Sequence, residues 1–295
     1  MFALQYDGLN RNGVWRSNEQ DSEYLLNNHL NLYLPVFKQS LATKQNHHSL
    51  LHWMTKNQLE ECVGEVKRKH LIYLGQIEQQ HYFSYRVQDP DAITHVEYLG
   101  LRNLFKQLAP EQAYLANVAA AMEHWHNTHQ HCGYCGSQTY SKQLGFVRHC
   151  HNPMCNKEQF PRTDAAVICA ITYQDSILLG RQTSWPENRY SVIAGFVEPG
   201  ESLEQAVARE AAEEVGLRVS NIQYFASQPW PFPQSLMVGF TAESQSDKIV
   251  LHDQELEEAN WYSRSHIQKL TAQEKLILPF EYSISRALIE QWLNC

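Results

Sequence analysis

The sequence has no long apolar run and no excess of basic residues, and its first residues do not predict a secretory leader. No apolar stretch approaches the roughly 20 residues that a membrane helix needs, so we expect no membrane-spanning segment. The net charge of -8 and the isoelectric point near 6.0 exclude the basic surface that is typical of a dedicated nucleic-acid binder. The first ten residues have neither a basic n-region nor an apolar h-region. We therefore expect a cytoplasmic protein.

The composition is that of a globular protein. Of the 295 residues, 43% are hydrophobic and 19% are charged, which suits a chain of about two domains. The seven cysteines are an odd number, and four of them lie between Cys132 and Cys155. A disulfide framework is a poor explanation for a chain of this size without an export signal.

Residue patterns divide the chain into three regions. We predict a β-rich N-terminal domain over residues 1–125, a small cysteine module over 126–160 and an α/β domain over 161–295. In the first region, HLIYLGQI (70–77) and HYFSYRV (81–87) are rich in aromatic and β-branched residues and predict a hairpin.

Further elements follow from periodicity and turn residues. A helix should begin at Pro110, with Glu111 favoured in its first turn by the helix dipole. One face of that helix should be apolar, with Leu115, Val118, Ala119, Met122 and Trp125. The expected later strands are 165–173, 176–182, 191–195, 235–243 and 259–263, with the first two joined by a turn at Gln174-Asp175, and a last helix is expected over 284–293.

The cysteine module has the spacing of a zinc site. Cys132-Gly-Tyr-Cys135 and Cys150-His-Asn-Pro-Met-Cys155 form two knuckles that can supply four soft ligands in a tetrahedron. Four protein ligands make a closed, structural site. Because the second knuckle is longer than usual, His149 or His151 could replace one sulfur. Two other interpretations are four unrelated buried thiols and a redox pair at Cys132 and Cys135, which leaves the second knuckle unexplained. The unpaired Cys169 lies mid-strand and should pack in the core.

The most specific pattern is Gly195-x₅-Glu201-x₇-Arg209-Glu210-Ala211-x-Glu213-Glu214-x-Gly216-Leu217. Ser202 and Gln205 have capping-box spacing, and Gly216 is a typical helix stop, so a helix should span about 203–215. Its three glutamates at positions i, i+3 and i+4 crowd one side and repel one another. Hard divalent cations favour such a group of carboxylates. The alternative is a solvated acidic face, which the fixed glycines and Arg209 disfavour.

A proline-rich segment, Ser227-Gln-Pro-Trp-Pro-Phe-Pro-Gln-Ser235, follows this helix. Prolines at alternate positions predict a stiff, extended segment outside any sheet interior. Trp230 and Phe232 offer flat faces, and Gln228, Gln234 and Ser235 offer hydrogen-bonding groups, as the wall of a nucleotide-base site would. From the residues alone, a proline-rich linker or a polyproline ligand for another protein is an equal alternative.

The glycine–glutamate pattern resembles the signature of the Nudix hydrolase family, and SQPWPFPQS resembles the marker of its NADH pyrophosphatase subfamily. The four-cysteine module before the Nudix domain is also similar to that subfamily. The resemblance is specific over about residues 130–262 and weak before 110. It implies an α+β fold, namely a Nudix α/β/α sandwich with a mixed sheet, preceded by a zinc ribbon and a β-rich N-terminal domain.

The resemblance also implies an activity and its cofactors. Members hydrolyse NADH and NAD⁺ to nicotinamide mononucleotide and AMP with Mg²⁺ or Mn²⁺, bacterial members also remove NAD caps from RNA, and members are homodimers. We accordingly expect Mg²⁺ or Mn²⁺ at the catalytic site and one structural Zn²⁺ per chain. Metals at such a site neutralise the diphosphate oxygens and activate a bound water.

The resemblance assigns roles residue by residue. Glu210 and Glu214 bind metal with the backbone carbonyl of Ala194, Glu255 is a further ligand, and Glu213 is either another ligand or the general base. Arg209 braces the glycine-rich loop through Glu201, and Gly195 and Gly216 are structural. The expected substrate contacts are Phe160, Gln228, Pro229, Trp230, Pro231, Phe232, Pro233, Gln234, Ser235 and Ser285. The long second knuckle and an insertion near 105–131 depart from the family pattern, so no N-terminal substrate contact is inferred.

Two other functions remain open at this point. A Nudix enzyme acting on ADP-ribose or a dinucleoside polyphosphate would share the same motif, and only the 227–235 segment argues for NAD(H). A non-enzymatic, zinc-ribbon nucleic-acid-binding protein with a degenerate Nudix domain is disfavoured by the intact carboxylates and by the acidic charge, because binding backbone phosphate requires clustered Lys and Arg.

Overall fold

The computed structural model describes residues 8–45, 47–251 and 255–295. Residues 1–7, on which the expectation about a leader mainly rests, lie outside these residues. The chain forms two compact units, one ending at Arg162 and the other beginning at Thr163. The finer division into three regions stays a prediction. No helix among the described residues is long and apolar enough to cross a membrane.

The first unit is built on a mixed sheet. Its order is β1-β5-β6-β2-β3-β4, with β7 also paired to β3. The β5–β6 pair is antiparallel with Ile77 opposite Gln80, which confirms the predicted hairpin. The strands are β1 (Leu9–Asn10), β2 (Leu32–Phe37), β3 (Ser40–Lys44), β4 (His47–Leu51), β5 (Leu71–Ile77), β6 (Gln80–Arg86) and β7 (Val96–Gly100).

Helices of the first unit include the predicted long helix. It begins at Pro110 with Glu111 in its first turn, and all five residues of the expected apolar face are buried. The helices are α1 (Gly13–Ser17), α2 (Glu19–Leu26), α3 (Lys56–Val63), α4 (Leu101–Leu104) and α5 (Pro110–Thr128).

The cysteine module is a small antiparallel sheet in the same unit, ordered β10-β9-β8. β9 pairs with both neighbours, with Thr139 opposite Cys150 and His149 opposite Glu158. The strands are β8 (Thr139–Lys142), β9 (Val147–Cys150) and β10 (Glu158–Gln159).

The second unit has a mixed sheet ordered β14-β15-β11-β12-β16, with β13 paired to β11. β11 and β15 are parallel, while the other described pairs are antiparallel. The strands are β11 (Asp164–Tyr173), β12 (Ser176–Arg181), β13 (Ile193–Phe196), β14 (Val219–Trp230), β15 (Ser235–Ser244) and β16 (Glu258–Ser263).

Helices cover both faces of this sheet: α6 (Leu203–Val215), α7 (Arg264–Ala272) and α8 (Ile284–Asn294). Val167 and Cys169 of β11 pack in one core with α6, whereas Ile168 packs in another core with α7 and α8. Since successive side chains of a strand point to opposite faces, β11 contributes to both cores. The fold is the predicted α/β/α sandwich, and Cys169 is a core residue.

Candidate active site

The glutamate-rich helix α6 has the boundaries expected from its capping residues. Ser202 accepts a hydrogen bond from the Gln205 backbone N–H, and the Gln205 side chain accepts one from the Ser202 N–H. Gly216 ends the helix at φ 69°, a left-handed conformation that costs glycine little. Helix α6 begins at Leu203, directly after the loop that follows β13.

Gly195 of β13 makes room for Glu210. A Cβ added to Gly195 would lie 1.9 Å from the Glu210 carboxylate carbon, far inside van der Waals contact. The carboxylate therefore lies directly over the strand backbone, beside Ala194. Spacing on the helix predicts that the glutamates share a side, but this close contact depends on how α6 packs on the sheet.

Arg209 ties the helix to the loop before it. Its Nε donates to Glu201 at 2.7 Å and its Nη2 donates to the Phe196 carbonyl oxygen at 2.8 Å. Glu201 in turn accepts from the Glu198 N–H at 3.0 Å. The bond from Arg209 is the main cause that lowers the pKa of Glu201 below its ordinary value, so this carboxylate stays charged and braced.

The other nitrogen of the guanidinium contacts two glutamates of α6. Arg209 Nη1 lies 2.8 Å from a Glu210 oxygen and 3.0 Å from a Glu213 oxygen. Burial raises the pKa of Glu210, and the charges of Glu213 and Glu255 raise it further, against the opposing effect of Arg209. A bound cation would relieve this repulsion and favour the ionised form.

Glu214 and Ala194 line one cavity. Glu214 is only 2% exposed, and the cavity of about 140 Å³ is also lined by Gln182. Gln182 donates to Glu255 at 3.0 Å, which places that residue at the same site. Oxygen donors from α6, β13 and the segment before β16 thus approach one place, the donor set that Mg²⁺ or Mn²⁺ takes. The residues fit such an ion.

A larger cavity of about 270 Å³ lies on the face of the second unit covered by α8. Three of the expected substrate contacts line it: Gln228, Trp230 and Ser285. Trp230 is stacked at 6.5 Å from the Tyr282 ring, and the Ser285 hydroxyl lies 2.7 Å from that of Ser191. The cavity combines flat rings with a few hydrogen-bonding groups, as small-molecule sites do.

The four cysteines come together as a ligand set. Their sulfurs all lie within 4.8 Å of one another, and they are the only group of three or more His, Cys, Asp or Glu that meets this criterion within the described residues. Two of the distances are 3.8 Å (Cys132–Cys155) and 3.5 Å (Cys135–Cys150). A tetrahedron with zinc–sulfur bonds of about 2.3 Å has sulfur–sulfur edges of about 3.8 Å. All four are free thiols, and neither His149 nor His151 belongs to the group.

Comparisons with known proteins agree with this geometry. A model of the NUDIX domain matches residues 161–280, and a model described as an NADH pyrophosphatase-like rudimentary NUDIX domain matches residues 31–125. A protein of Mycobacterium bovis named NAD-capped RNA hydrolase NudC is 38% identical, covering 76% of this chain and 75% of its own. Proteins of the same name from Stutzerimonas stutzeri (38% identical, 75% and 76% covered) and Escherichia coli (42% identical, 60% and 65% covered) also match.

The chain belongs to the NADH pyrophosphatase subfamily of the Nudix hydrolases. It is therefore an enzyme with a divalent-metal hydrolase domain, accompanied by a four-cysteine cluster that is compatible with a zinc ribbon.

The proline-rich segment of this Nudix hydrolase is part of the sheet edge. Residues up to Trp230 belong to edge strand β14, with Pro229 opposite Leu236 and Trp230 opposite Ser235. Residues 231–234 form the turn into β15. An edge strand accepts prolines because one side has no partner strand. Residues 227–230 are thus extended and outside the sheet interior, as expected, whereas residues 231–234 turn back into β15 and do not continue the extended segment.

The Gln228 side-chain amide forms hydrogen bonds with the backbone at the start of α8. Its Nε2 donates to the Tyr282 carbonyl oxygen at 2.7 Å, and its Oε1 accepts from the Ile284 N–H at 2.8 Å. With the residue 1% exposed, the amide holds the start of α8 against β14. It shapes the cavity wall, and both ends of the amide already bind backbone.

Other expected substrate contacts do not line the cavity. Gln234 donates to Asp164 at 2.9 Å, and the Phe232 ring lies edge-on to Trp230 at 5.0 Å. Phe160 is 62% exposed in the unit that ends at Arg162. Pro229, Pro231, Pro233 and Ser235 are likewise not among the lining residues.

Sequence reasoning missed part of the cavity. Arg189 and Phe280 both line it, with the guanidinium carbon 4.1 Å from the ring centroid. The Phe280 ring is also parallel to that of Tyr282, at 5.4 Å and 2°. Both residues lie in segments without a motif. Only an aromatic pair spaced by one residue, Phe280 and Tyr282, could have signalled a ring surface.

Proposed function

We propose that this enzyme hydrolyses the diphosphate bond of NADH and NAD⁺ to nicotinamide mononucleotide and AMP, and removes NAD caps from RNA 5′ ends. The relatives named NAD-capped RNA hydrolase NudC support the substrate class, and so does the NADH pyrophosphatase-like domain match.

One observation carries the proposal: the cavity of about 270 Å³ lined by Trp230 and the cavity of about 140 Å³ lined by Glu214 share two wall residues. Trp185 and Ser191 line both. A base placed against Trp230 in the larger cavity would therefore have its ribose phosphate directed past Ser191, towards Ala194 and Glu214. A dinucleotide requires such an arrangement, because its base and its diphosphate are covalently linked a short distance apart.

The residues of the site have separate roles in metal binding and positioning. Glu210, Glu214, Glu255 and the Ala194 carbonyl oxygen would hold Mg²⁺ or Mn²⁺, which supplies charge neutralisation and an activated water when bound. Gly195 keeps the Glu210 carboxylate against the strand, and Arg209 with Glu201 holds the loop in register. Glu213, whose side chain is 57% exposed and paired with Arg209, is open to solvent, as is Glu255.

Hydrolysis of NADH, ADP-ribose and NAD-capped RNA, assayed side by side with added Mg²⁺ or Mn²⁺, tests the proposal. Nicotinamide mononucleotide and AMP should be the products from NADH. Preferential cleavage of ADP-ribose would instead support a Nudix enzyme with a different substrate. Absence of hydrolysis of all three would remove the proposal.

The aromatic wall provides a sharper test. Trp230→Ala should cost about 1–3 kcal/mol of binding, the range for base–aromatic stacking, or roughly a five- to 150-fold loss in kcat/KM for NADH. Phe232→Ala is the matched control, since Phe232 supports Trp230 but does not line the cavity. The loss of kcat/KM in Phe232→Ala should be smaller.

The substrate that Trp230→Ala affects shows which base the ring contacts. If Trp230 contacts nicotinamide, hydrolysis of NADH falls and hydrolysis of ADP-ribose is spared. If it contacts adenine, hydrolysis of both substrates falls. Folded Trp230→Ala and double-alanine variants with unchanged NADH kinetics would remove the argument for NAD(H).

We further infer from the subfamily resemblance that the enzyme is a cytoplasmic homodimer. Light scattering should give a mass twice that of the 34.2 kDa chain, and a monomeric mass for active enzyme would contradict the dimer.

A further inference from the structure

A basic cavity lies within the unit that ends at Arg162. Its volume is about 460 Å³, in the range of ligand sites, and no Asp or Glu is among its described lining residues. None of these residues belongs to the unit that holds the glutamate helix. The lining residues that matter for charge and hydrogen bonding are Lys69, His70, Arg86, Thr139 and Arg148.

Arg148 is the least exposed charge in this wall, at 8%. Its guanidinium donates to the Thr139 hydroxyl at 2.7 Å, the Thr139 carbonyl oxygen at 3.0 Å and His126 Nδ1 at 2.9 Å. All three acceptors are neutral groups, and none of its described hydrogen bonds reaches a cysteine sulfur. A guanidinium has five N–H donors, so two remain without a described partner. A buried charge is normally paired.

Arg86 forms an ion pair with a buried carboxylate. Its Nε and Nη2 both donate to Glu123 at 3.0 Å, and that carboxylate is buried. Lys69 adds an exposed positive charge. Glu123 therefore compensates Arg86, whereas Arg148 and Lys69 have no carboxylate among their described partners, so the wall carries excess positive charge.

The histidines beside the cavity respond to that charge. Burial is the largest cause that lowers the pKa of His70 to about 4, and Lys69 and Arg86 lower it further. Burial also lowers the pKa of His126 to about 3, with Arg148 and Arg86 adding to the effect. His126 Nε2 contacts the Gly145 carbonyl oxygen at 2.8 Å, so its Nδ1 is the acceptor for Arg148. Both histidines are therefore neutral near pH 7, and the positive charge beside the cavity comes from Lys69, Arg86 and Arg148.

The geometry points to this cavity as a binding site for phosphate groups. An arginine guanidinium can donate two parallel hydrogen bonds to the oxygens of one phosphate. The ligand is a phosphate-bearing nucleotide, either as part of a single-stranded RNA chain or as a free nucleotide or phosphate. This site goes beyond the proposed hydrolysis, which uses residues of the other unit.

The test compares two charge reversals two residues apart. Lys69→Glu changes a lining residue, whereas Lys67→Glu makes the same change at an exposed residue that does not line the cavity. The probe is an uncapped, 5′-phosphorylated, fluorescein-labelled RNA decamer, followed by fluorescence anisotropy on the zinc-loaded full chain over a range of KCl concentrations. Unlabelled AMP and inorganic phosphate serve as competitors.

We expect Lys69→Glu to weaken binding by about three- to tenfold and to lower the slope of log K against log salt by about 0.7–1. Lys67→Glu should stay within about twofold of the unmodified chain. Arg148→Lys keeps the charge but loses the fork and should also weaken binding; its zinc content and Tm show whether it folds. Displacement of the decamer by inorganic phosphate at low concentration assigns the site to free phosphate, and displacement by AMP but not by phosphate assigns it to a free nucleotide. A decamer that neither competitor displaces assigns the site to the RNA chain.

Equal effects of Lys69→Glu and Lys67→Glu, or no binding of the decamer, AMP or phosphate, would overturn the inference. NADH hydrolysis is measured on the same samples and should be unchanged in both lysine variants. If NADH is not hydrolysed by the unmodified chain, the proposed function fails, but the binding comparison still decides this inference.

Discussion

The four cysteines of the zinc-type cluster lie closer together than the four glutamates of the candidate active site, Glu210, Glu213, Glu214 and Glu255. The cysteine sulfurs all lie within 4.8 Å of one another, on two knuckles beside a three-stranded sheet. The glutamates come from α6 and from the segment before β16, and among the described residues they form no group that tight. Arg209 instead contacts Glu210 and Glu213.

This difference follows from charge. Neutral thiols can approach closely before a metal binds, whereas carboxylates repel one another and need a cation or an arginine between them. The soft, closed set is suited to permanent zinc, and the oxygen set is suited to a hard ion that exchanges. One site can therefore stabilise the fold while the other remains open to substrate.

Removal of a thiolate should have the largest effect. We expect one zinc per chain to co-purify, because closed thiolate sites bind zinc with roughly 10–16 kcal/mol of apparent free energy. Cys150→Ser should lose the metal and destabilise the first unit, as measured by elemental analysis and thermal unfolding. Cys295→Ser, an exposed cysteine outside the cluster, is the control and should retain zinc. Absence of zinc from protein purified without chelator would refute the structural site.

Removal of a carboxylate charge should affect turnover and spare the fold. Glu214→Gln keeps the shape of a buried side chain but removes a charge that would hold the metal, so NADH turnover should fall by more than about 100-fold. Zinc content should not change, and the metal-free Tm should fall little, because repulsion among the glutamates decreases. Near-normal turnover at saturating Mn²⁺ would remove Glu214 from the mechanism.

A methyl group at Gly195 should disturb the same site more gently. Gly195→Ala places a Cβ where the Glu210 carboxylate lies, so that carboxylate must move. A misplacement of about 1 Å can cost on the order of 100-fold in rate, and we expect a loss up to that size with a higher Mn²⁺ requirement. Unchanged kinetics and metal dependence would show that the contact between Gly195 and Glu210 does not position the carboxylate for catalysis.

The smallest expected effect is a pH dependence of stability. Burial raises the pKa of Glu210 in the folded chain, so the folded state binds more protons than the unfolded state between the two pKa values. The stability of the chain without Mg²⁺ or Mn²⁺ should therefore fall as pH rises through that window.

Glu210→Gln removes this titration. Its Tm should exceed that of the unmodified chain above the folded pKa and match it below the unfolded one. Thermal unfolding from about pH 4 to pH 8 measures the difference, and added Mn²⁺ should stabilise only the unmodified chain. An identical pH profile for both proteins would contradict the role of burial at Glu210.

Local sequence predicted the parts of the fold that local forces determine. The capping box at Ser202, the left-handed stop at Gly216 and the apolar face of α5 follow from interactions within a few residues, and the structure has each of them. The strand expected over 191–195 is shifted to Ile193–Phe196, because pairing with β11 decides where it begins. The proline-rich segment was equally consistent with a linker until the register with β15 placed it on the sheet edge.

By itself, the sequence determined the chemistry available to this protein: four thiols on two knuckles, glutamates on one side of a capped helix, and aromatic rings among prolines. Only the tertiary structure decided what those groups meet. Three contacts join residues that are far apart in the chain. The Glu210 carboxylate lies over Gly195, the Gln228 amide binds the backbone at the start of α8, and Arg189 lies beside Phe280. The basic cavity around Arg148 is a further example. Such contacts depend on how helices and sheets pack, which short-range patterns do not encode.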